Sequence, residues 1–391
     1  MSDSNRIQVS FLREADWGTT PAAAFTELLL TGGTMAHALE TIRSAQIRSD
    51  AQAADMKRVG ADANATYNVE WSAGAFDELL RGGIRADADW SAAVNISGTD
   101  IAFVSSGNYI TSTVTDLTTG VTKGQWVYVG GSPANAGWWK VTALSTYSLT
   151  VTGGTLTDEG SGATITLKSS QIRNGTNTPS YSLQEEFLDL TNRLFLITGA
   201  RIGNWGITIS PKAIINGTFG FQGKSIAQAA AKAGNGSVTA SAGNDVMSEV
   251  DAFTDVWIDN TAVAWDVFQA SLSVATATRP QTQLGQLAKR GIGLGTLSLT
   301  GNIETYLDDD SWAVLGDMLA FTKFPLAFAL SDGNGNRYHI ELPQVALSGE
   351  PGDIPGIDTD KMLAFDFAAD AGGSFGATSL EKTIQICRVV A

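Results

Sequence analysis

Thr66-Tyr67-Asn68-Val69-Glu70-Trp71 alternates without a break: Tyr67, Val69 and Trp71 share one face, Thr66, Asn68 and Glu70 the other. That is the pattern of a strand with one side in a core and one in water. Directly after it, Phe76, Leu79 and Leu80 recur at helical spacing. The same unit returns about 230 residues later, where Leu297, Leu299 and Ile303 alternate with Ser298, Thr300, Asn302 and Glu304. A second helix is predicted there, started by Asp308 to Asp310 and expected to bury Trp312, Leu315 and Leu319. Each strand is preceded by a polar stretch ending in a basic residue and glycine, Arg48 to Arg58 with Gly60 and Arg279 to Arg290 with Gly291. The recurrence predicts an internal duplication.

Outward from these units, short alternating segments separated by Gly, Asn, Asp and Pro give a mainly β chain of sandwich or barrel type. Gly206–Ser210 and Ile214–Phe221 read as two strands joined at Pro211, and Ser225–Gly243, rich in Ala, Gly and Ser, as a linker. Residues 96–172 differ from both copies. Trp126–Val129, Trp138–Val141, Leu149–Val151 and Ala163–Leu167 are short strands between glycine-rich turns, enough for a small barrel inserted in the first copy. Tyr338–Leu342, then Leu363, Phe365 and Phe367, and finally Thr383–Val389 complete the second copy.

Composition narrows the function. With 43% hydrophobic and 17% charged residues over 391 positions the chain is a folded protein. No stretch reaches the ~20 apolar residues of a membrane helix, so no membrane role is expected, and with a polar N-terminus that lacks a signal peptide's apolar region, synthesis and assembly in the cytoplasm are expected. Cys387 is the single cysteine, and His37 and His339 stand too far apart in sequence to suggest a metal pair, so no disulfide framework, metal or cofactor is expected. Gly291-Ile292-Gly293-Leu294-Gly295 opens a strand, not a helix, and lacks dinucleotide spacing. Glu185 and Glu186 are adjacent and face opposite sides of a strand; His339 is expected to be solvent-facing or satisfied, and no nucleophile stands beside a base. An enzyme is not expected.

Charge placement says more. The net charge is −15, yet residues 41–60 carry Arg43, Arg48, Lys57 and Arg58 against only Asp50 and Asp55, and residues 279–290 carry Arg279, Lys289 and Arg290 with no acid. Two basic excursions at equivalent places in an acidic duplicated chain suit arms that reach an acidic neighbour. A solvated hairpin and a nucleic-acid patch are the other readings, the latter weakened by the lack of interleaved aromatic residues.

Arg13-Glu14-Ala15-Asp16-Trp17-Gly18-Thr19-Thr20-Pro21 resembles the opening of tail tube proteins from long-tailed, non-contractile phages. Ile47-Arg48-Ser49-Asp50 with Val59-Gly60-Ala61, the strand ending at Glu70, the helix Phe76–Leu80, Ile214–Gly223 with Gly217 and Phe219, and Gly291–Glu304 are similar to that family in the same order. Gly124–Val141, with its Asn135-Ala136-Gly137 turn, resembles an insertion that some members carry. The resemblance, which spans nearly the full length, implies two tandem β-sandwich domains, each with a flanking helix and a long loop, plus the inserted barrel. The expected division is 1–95 and 173–235 for the first sandwich, 96–172 for the barrel and 236–391 for the second sandwich. It further implies a virion structural protein that polymerises as stacked rings, three duplicated copies giving pseudo-sixfold symmetry. DNA would pass through an acidic lumen without specific binding, and the tape measure, tail terminator and distal tail proteins would be the other partners. Arg48, Arg58, Arg279, Lys289 and Arg290 are the expected contacts between rings or subunits. A receptor- or carbohydrate-binding module is the alternative, with Trp126, Trp138 and Trp139 as a sugar-stacking face.

Overall fold

The computed structural model describes residues 3–263, 267–349, 357–374 and 381–390. Six elements of the first half recur in the second. The first set is β1 (Gly32–Arg43), β2 (Met56–Glu70), α1 (Asp77–Gly83), β3 (Tyr181–Phe187), β4 (Leu194–Ile209) and β5 (Asn216–Gly223). The second is β6 (Val267–Gln281), β7 (Gly291–Tyr306), α2 (Asp309–Leu319), β8 (Lys323–Ser331), β9 (Arg337–Ser348) and β10 (Met362–Ala369). Pairing repeats with them: β1 with β2, β2 with β5 and β5 with β4, then β6 with β7, β7 with β10 and β10 with β9, all antiparallel.

Two details fix the equivalence residue by residue. The Trp71 amide donates to the Ile215 carbonyl where β2 leaves the sheet, and the Leu307 amide donates to the Lys361 carbonyl where β7 does. Between β3 and β4 the register slips once, from Tyr181 opposite Ala200 to Leu183 opposite Ile197. Between β8 and β9 it slips in the same way, from Phe324 opposite Val345 to Leu326 opposite Leu342. A bulge bends its strand, and here both bulges sit where β4 and β9 pass from one layer to the other.

The two copies join edge to edge inside one chain. The outer part of β4 pairs with β6 from Asn204 opposite Ala275 to Ile209 opposite Ala270, so the order β1-β2-β5-β4-β6-β7-β10-β9 is one unbroken sheet. A second layer covers one face: Ile7–Arg13 pairs with β3 in the first copy and Phe253–Ile258 with β8 in the second. The core between the layers holds Tyr67, Val69, Trp205 and Phe219 in the first copy and Ile303, Phe328, Phe365 and Phe367 in the second. Trp71 stacks on Phe219 at 6.2 Å, and a Cβ on Gly217 would stand 2.9 Å from that indole, so the glycine keeps room for the ring. Fully burying side chains of this size contributes roughly 2–3 kcal/mol each.

Residues 94–173 wind around a separate core that includes Phe103, Val127, Trp139 and Leu167. Seven strands follow in the order Val94–Gly98, Ile165–Arg173, Trp126–Gly130, Gly137–Ser145, Ser148–Thr152, Tyr109–Thr111 and Ala102–Val104.

Three expectations need correction. Helix α2 buries Val314, Leu315 and Met318 and leaves Trp312 and Leu319 exposed, because its sequence is apolar on both sides and spacing alone cannot choose the inner one. Ser225–Ala229 is no linker but a strand paired with Leu194–Thr198; backbone hydrogen bonds hold it without an apolar period. His339 is fully buried on β9 and neither ring nitrogen has a hydrogen-bond partner. Asp308 caps α2 as expected, accepting from the Ser311 amide at 2.7 Å while Ser311 Oγ accepts from the Asp308 amide. The Asp310 side chain lies outside the described residues.

Candidate assembly surfaces

The face of the long sheet turned away from the second layer is read off the pairing, since alternate residues point the same way. Across it run Thr34 and Ala36 of β1, Asn64, Thr66, Asn68 and Glu70 of β2, and Asn216, Thr218 and Gln222 of β5. Asn204 and Thr208 of β4, Ser271 and Ser273 of β6, Ser298, Thr300, Asn302 and Glu304 of β7, and Ala364, Asp366 and Ala368 of β10 continue it. Small neutral polar groups dominate; short of the arms the carboxylates at this face are Glu70, Glu304 and Asp366, and the one cation is Arg201 of β4, opposite Gln222, whose guanidinium donates to the Ile292 carbonyl. Single-residue alternation carried this signal, but only the register across both copies shows that the faces are one surface.

The basic excursions are the far ends of two hairpins. β1 and β2 stay paired out to Arg43 opposite Met56, and from His37 onward β1 is exposed on both sides. β6 and β7 stay paired out to Gln281 opposite Gly291. Four antiparallel steps separate β1 from β6, so the two strands run in the same direction and both arms leave the same end of the sheet. Their tips are apolar as well as basic: Ile42, Ile47, Met56 and Leu284 are all more than half exposed.

The expected contact residues divide. Arg58, Arg279 and Arg290 are exposed and make no ion pair among the described residues. Arg48 is exposed but grips Asp50 through two bonds of 3.0 and 2.6 Å, which holds the carboxyl below its ordinary range and neutralises the guanidinium locally. Lys289 is buried, with Nζ 2.7 Å from Asp62 and donating to the Gly223 carbonyl at 3.3 Å. Its charge is used inside the chain, where it ties the base of the second arm to the first copy.

One further surface is an edge. β1 pairs on one side only, with β2, and its other backbone edge is free among the described residues. It is the counterpart of β6, whose corresponding edge is taken by β4.

A model of the phage tail tube protein family matches residues 4–369. The chain belongs to that family. It is therefore a structural component of the phage tail, its family is not one of enzymes, and membership implies self-assembly into a tube alongside other tail proteins. No curated protein matches the chain. No helix among the described residues is long and apolar enough to cross a membrane.

In this tail tube chain the N-terminal motif has a physical reason. Glu14 is buried and accepts four hydrogen bonds, from the Gly18 amide at 2.7 Å, the Gly199 amide at 2.8 Å, Ser180 Oγ at 2.7 Å and Ser182 Oγ at 2.8 Å. Trp17 Nε1 donates to the Gly199 carbonyl at 3.1 Å, and with φ of +64° at that position a side chain would be strained and would press on the indole. The motif pins the first strand to the β3–β4 corner.

The tryptophans offered for sugar stacking are buried. Trp139 belongs to the core of residues 94–173 and donates to the Asn135 carbonyl at 2.9 Å. Trp126, Trp138 and Trp257 enclose His339, with Trp126 stacked on the imidazole at 4.0 Å. Below them Glu341, fully buried, accepts from Trp126 Nε1 at 2.9 Å and pairs with Lys140 at 2.5 Å. Burial and the neighbouring Lys140 ammonium hold His339 well below its ordinary pKa. This cluster fastens the inserted strands to β9, and Gln385–Val389, paired with both Ile165–Arg173 and β9, closes the joint. A face that is packed this way offers no sugar a platform, which removes the motive for the carbohydrate-binding alternative.

Proposed function

We propose that the chain forms stacked rings in which the uncharged-to-acidic sheet face lines the lumen and DNA passes without adhering. The carrying observation is that, short of the arms, this face crosses both copies with one cation, Arg201, and its guanidinium is held on the Ile292 carbonyl. Duplex binding depends on cations neutralising phosphates, so a wall of Ser, Thr and Asn with carboxylates outnumbering its one arginine gives DNA little to hold and a weak repulsion to slide along. The β4–β6 seam supplies the geometry: repeated between molecules, it brings the free β1 edge of one copy to the β9–β10 end of the next. Unpaired edges invite such addition. Three duplicated copies then make a ring of six sandwiches, each contributing one sector of wall.

The arms leave one end of that wall, so we assign Arg58, Arg279 and Arg290 to the contact with the next ring, and residues 94–173, on the side of β9 away from the lumen face, to the exterior. The sandwich boundaries at 1–95 with 173–235 and at 236–391 are part of the same reading, as are the tape measure, tail terminator and distal tail proteins as partners and assembly in the host cytoplasm. Electron microscopy of concentrated purified protein tests it. Hollow tubes with three copies per ring are expected; particles without a central channel, or a channel wall rich in Lys and Arg, overturn it.

A further inference from the structure

Helix α2 is apolar on two sides. Ser311, Val314, Leu315 and Met318 face the core, yet Trp312, Leu319 and the following Phe321 are 64, 70 and 63% exposed. Between Trp312 and Leu319 stands Gly316, and a Cβ there would meet nothing within 4 Å. A helix apolar all round is ordinarily covered, and nothing within the described residues covers this one.

Its counterpart α1 is covered, and by the other copy. Tyr338 of β9 donates from its hydroxyl to Asp77 Oδ1 at 2.6 Å and accepts from the Gly74 amide at 2.7 Å, while the Arg388 guanidinium pairs with the same carboxylate. Asp77 opens α1 as Asp309 opens α2. Counting from the shared bulge, Tyr338 stands four residues before Leu342, and the residue four before Ile197 is Arg193. Its partner agrees: Tyr338 is opposite Leu330, and the Arg193 carbonyl accepts from the Phe187 amide at 3.1 Å. Arg193 is exposed, and its guanidinium bonds only the Asn192 carbonyl, with no carboxylate among the described residues. In the same turn Leu188 and Leu190 are exposed.

We propose that α2 is a joint between copies, receiving the Phe187–Leu194 turn of the next molecule with Arg193 against Asp309 and Leu188 and Leu190 against Trp312. The proposal rests on the ring reading, and it takes the joint that one chain makes between its own copies as the template for the joint between chains. The signs match: where the internal joint sets a hydroxyl and a guanidinium on Asp77, the external one sets a guanidinium on Asp309.

The test is a cysteine pair, Arg193→Cys with Asp309→Cys, in the full chain; the natural Cys387 is buried and silent. Oxidation of assembled protein should give covalently linked oligomers on a denaturing gel, up to the number of copies in a ring, and reductant should dissolve them. As a second arm, Arg193→Asp should abolish rings while leaving the thermal melt unchanged, and Arg193→Asp with Asp309→Arg should restore them. Tubes that do not cross-link overturn this joint and leave the ring standing, as do rings formed normally by Arg193→Asp. Wild-type protein that makes neither rings nor tubes overturns both.

Discussion

Tyr338 and Asp77, one from each copy, share a hydrogen bond of 2.6 Å in which the phenol donates, and the same phenol oxygen receives the Gly74 amide. Two sandwiches are thus locked by a buried polar contact, not only by their common sheet. Replacing Tyr338 with Phe strands the Gly74 amide and removes a donor from the carboxylate. A loss of about 1–3 kcal/mol is expected, read as a lower midpoint in denaturant unfolding.

Glu14 collects four donors in a site without solvent. Glu14→Ala should leave them all unpaired and cost roughly 3 kcal/mol or more. Thermal unfolding measures the loss, and limited proteolysis should show the first 20 or so residues released before the rest.

His339 should make stability fall on acidification. The folded chain keeps it neutral well below 6.5, whereas the unfolded chain takes up a proton as pH drops through about 6.5, so each unit below that favours unfolding by up to ~1.4 kcal/mol. The stability is present above pH 6.5 and declines beneath it. In His339→Phe, where a ring still stacks on Trp126, melting temperatures at pH 7 and pH 5 should lie closer together than in the natural chain.

Asp100 adds a second acid-sensitive site. Its carboxylate accepts from Ser112 Oγ, Thr115 Oγ1 and the Thr115 and Val114 amides, which holds its pKa far below 3.8. A lowered carboxylate contributes stability above about pH 4 that is lost as pH falls further. Asp100→Asn should therefore lower the melting temperature at pH 7 more than at pH 3.

Charge reversal at Arg58 or Arg290 should stop elongation and leave a folded subunit. Circular dichroism checks the fold and sedimentation checks the polymer; normal tubes from both variants would remove the arms from the stacking contact.

The alternation at Thr66–Trp71 and Leu297–Glu304 was legible because a sheet with one wet face stamps a period of two on its sequence, and duplication stamped it twice. Lys289 was visible as a cation, but not its burial, since Asp62 and Gly223 reach it only through the fold. Helix α2 deceived because Trp312 and Leu319 lie on one side, Val314 and Met318 on the other, and both are apolar. His339 resisted for the opposite reason: its cage of Trp126, Trp138 and Trp257 comes from two distant segments. The capping signal, local by nature, read correctly at Asp308.

The pairing of Asn204–Ile209 with Ala270–Ala275 is made within one polypeptide, so it never waits for a collision. A closed assembly of such molecules forms half as many joints by encounter as it has sandwiches, and the loss of translational freedom falls only on those. In the proposed ring, carrying both copies in one chain would thereby lower the concentration at which the first circle can nucleate, and fix which edge is left for the neighbour.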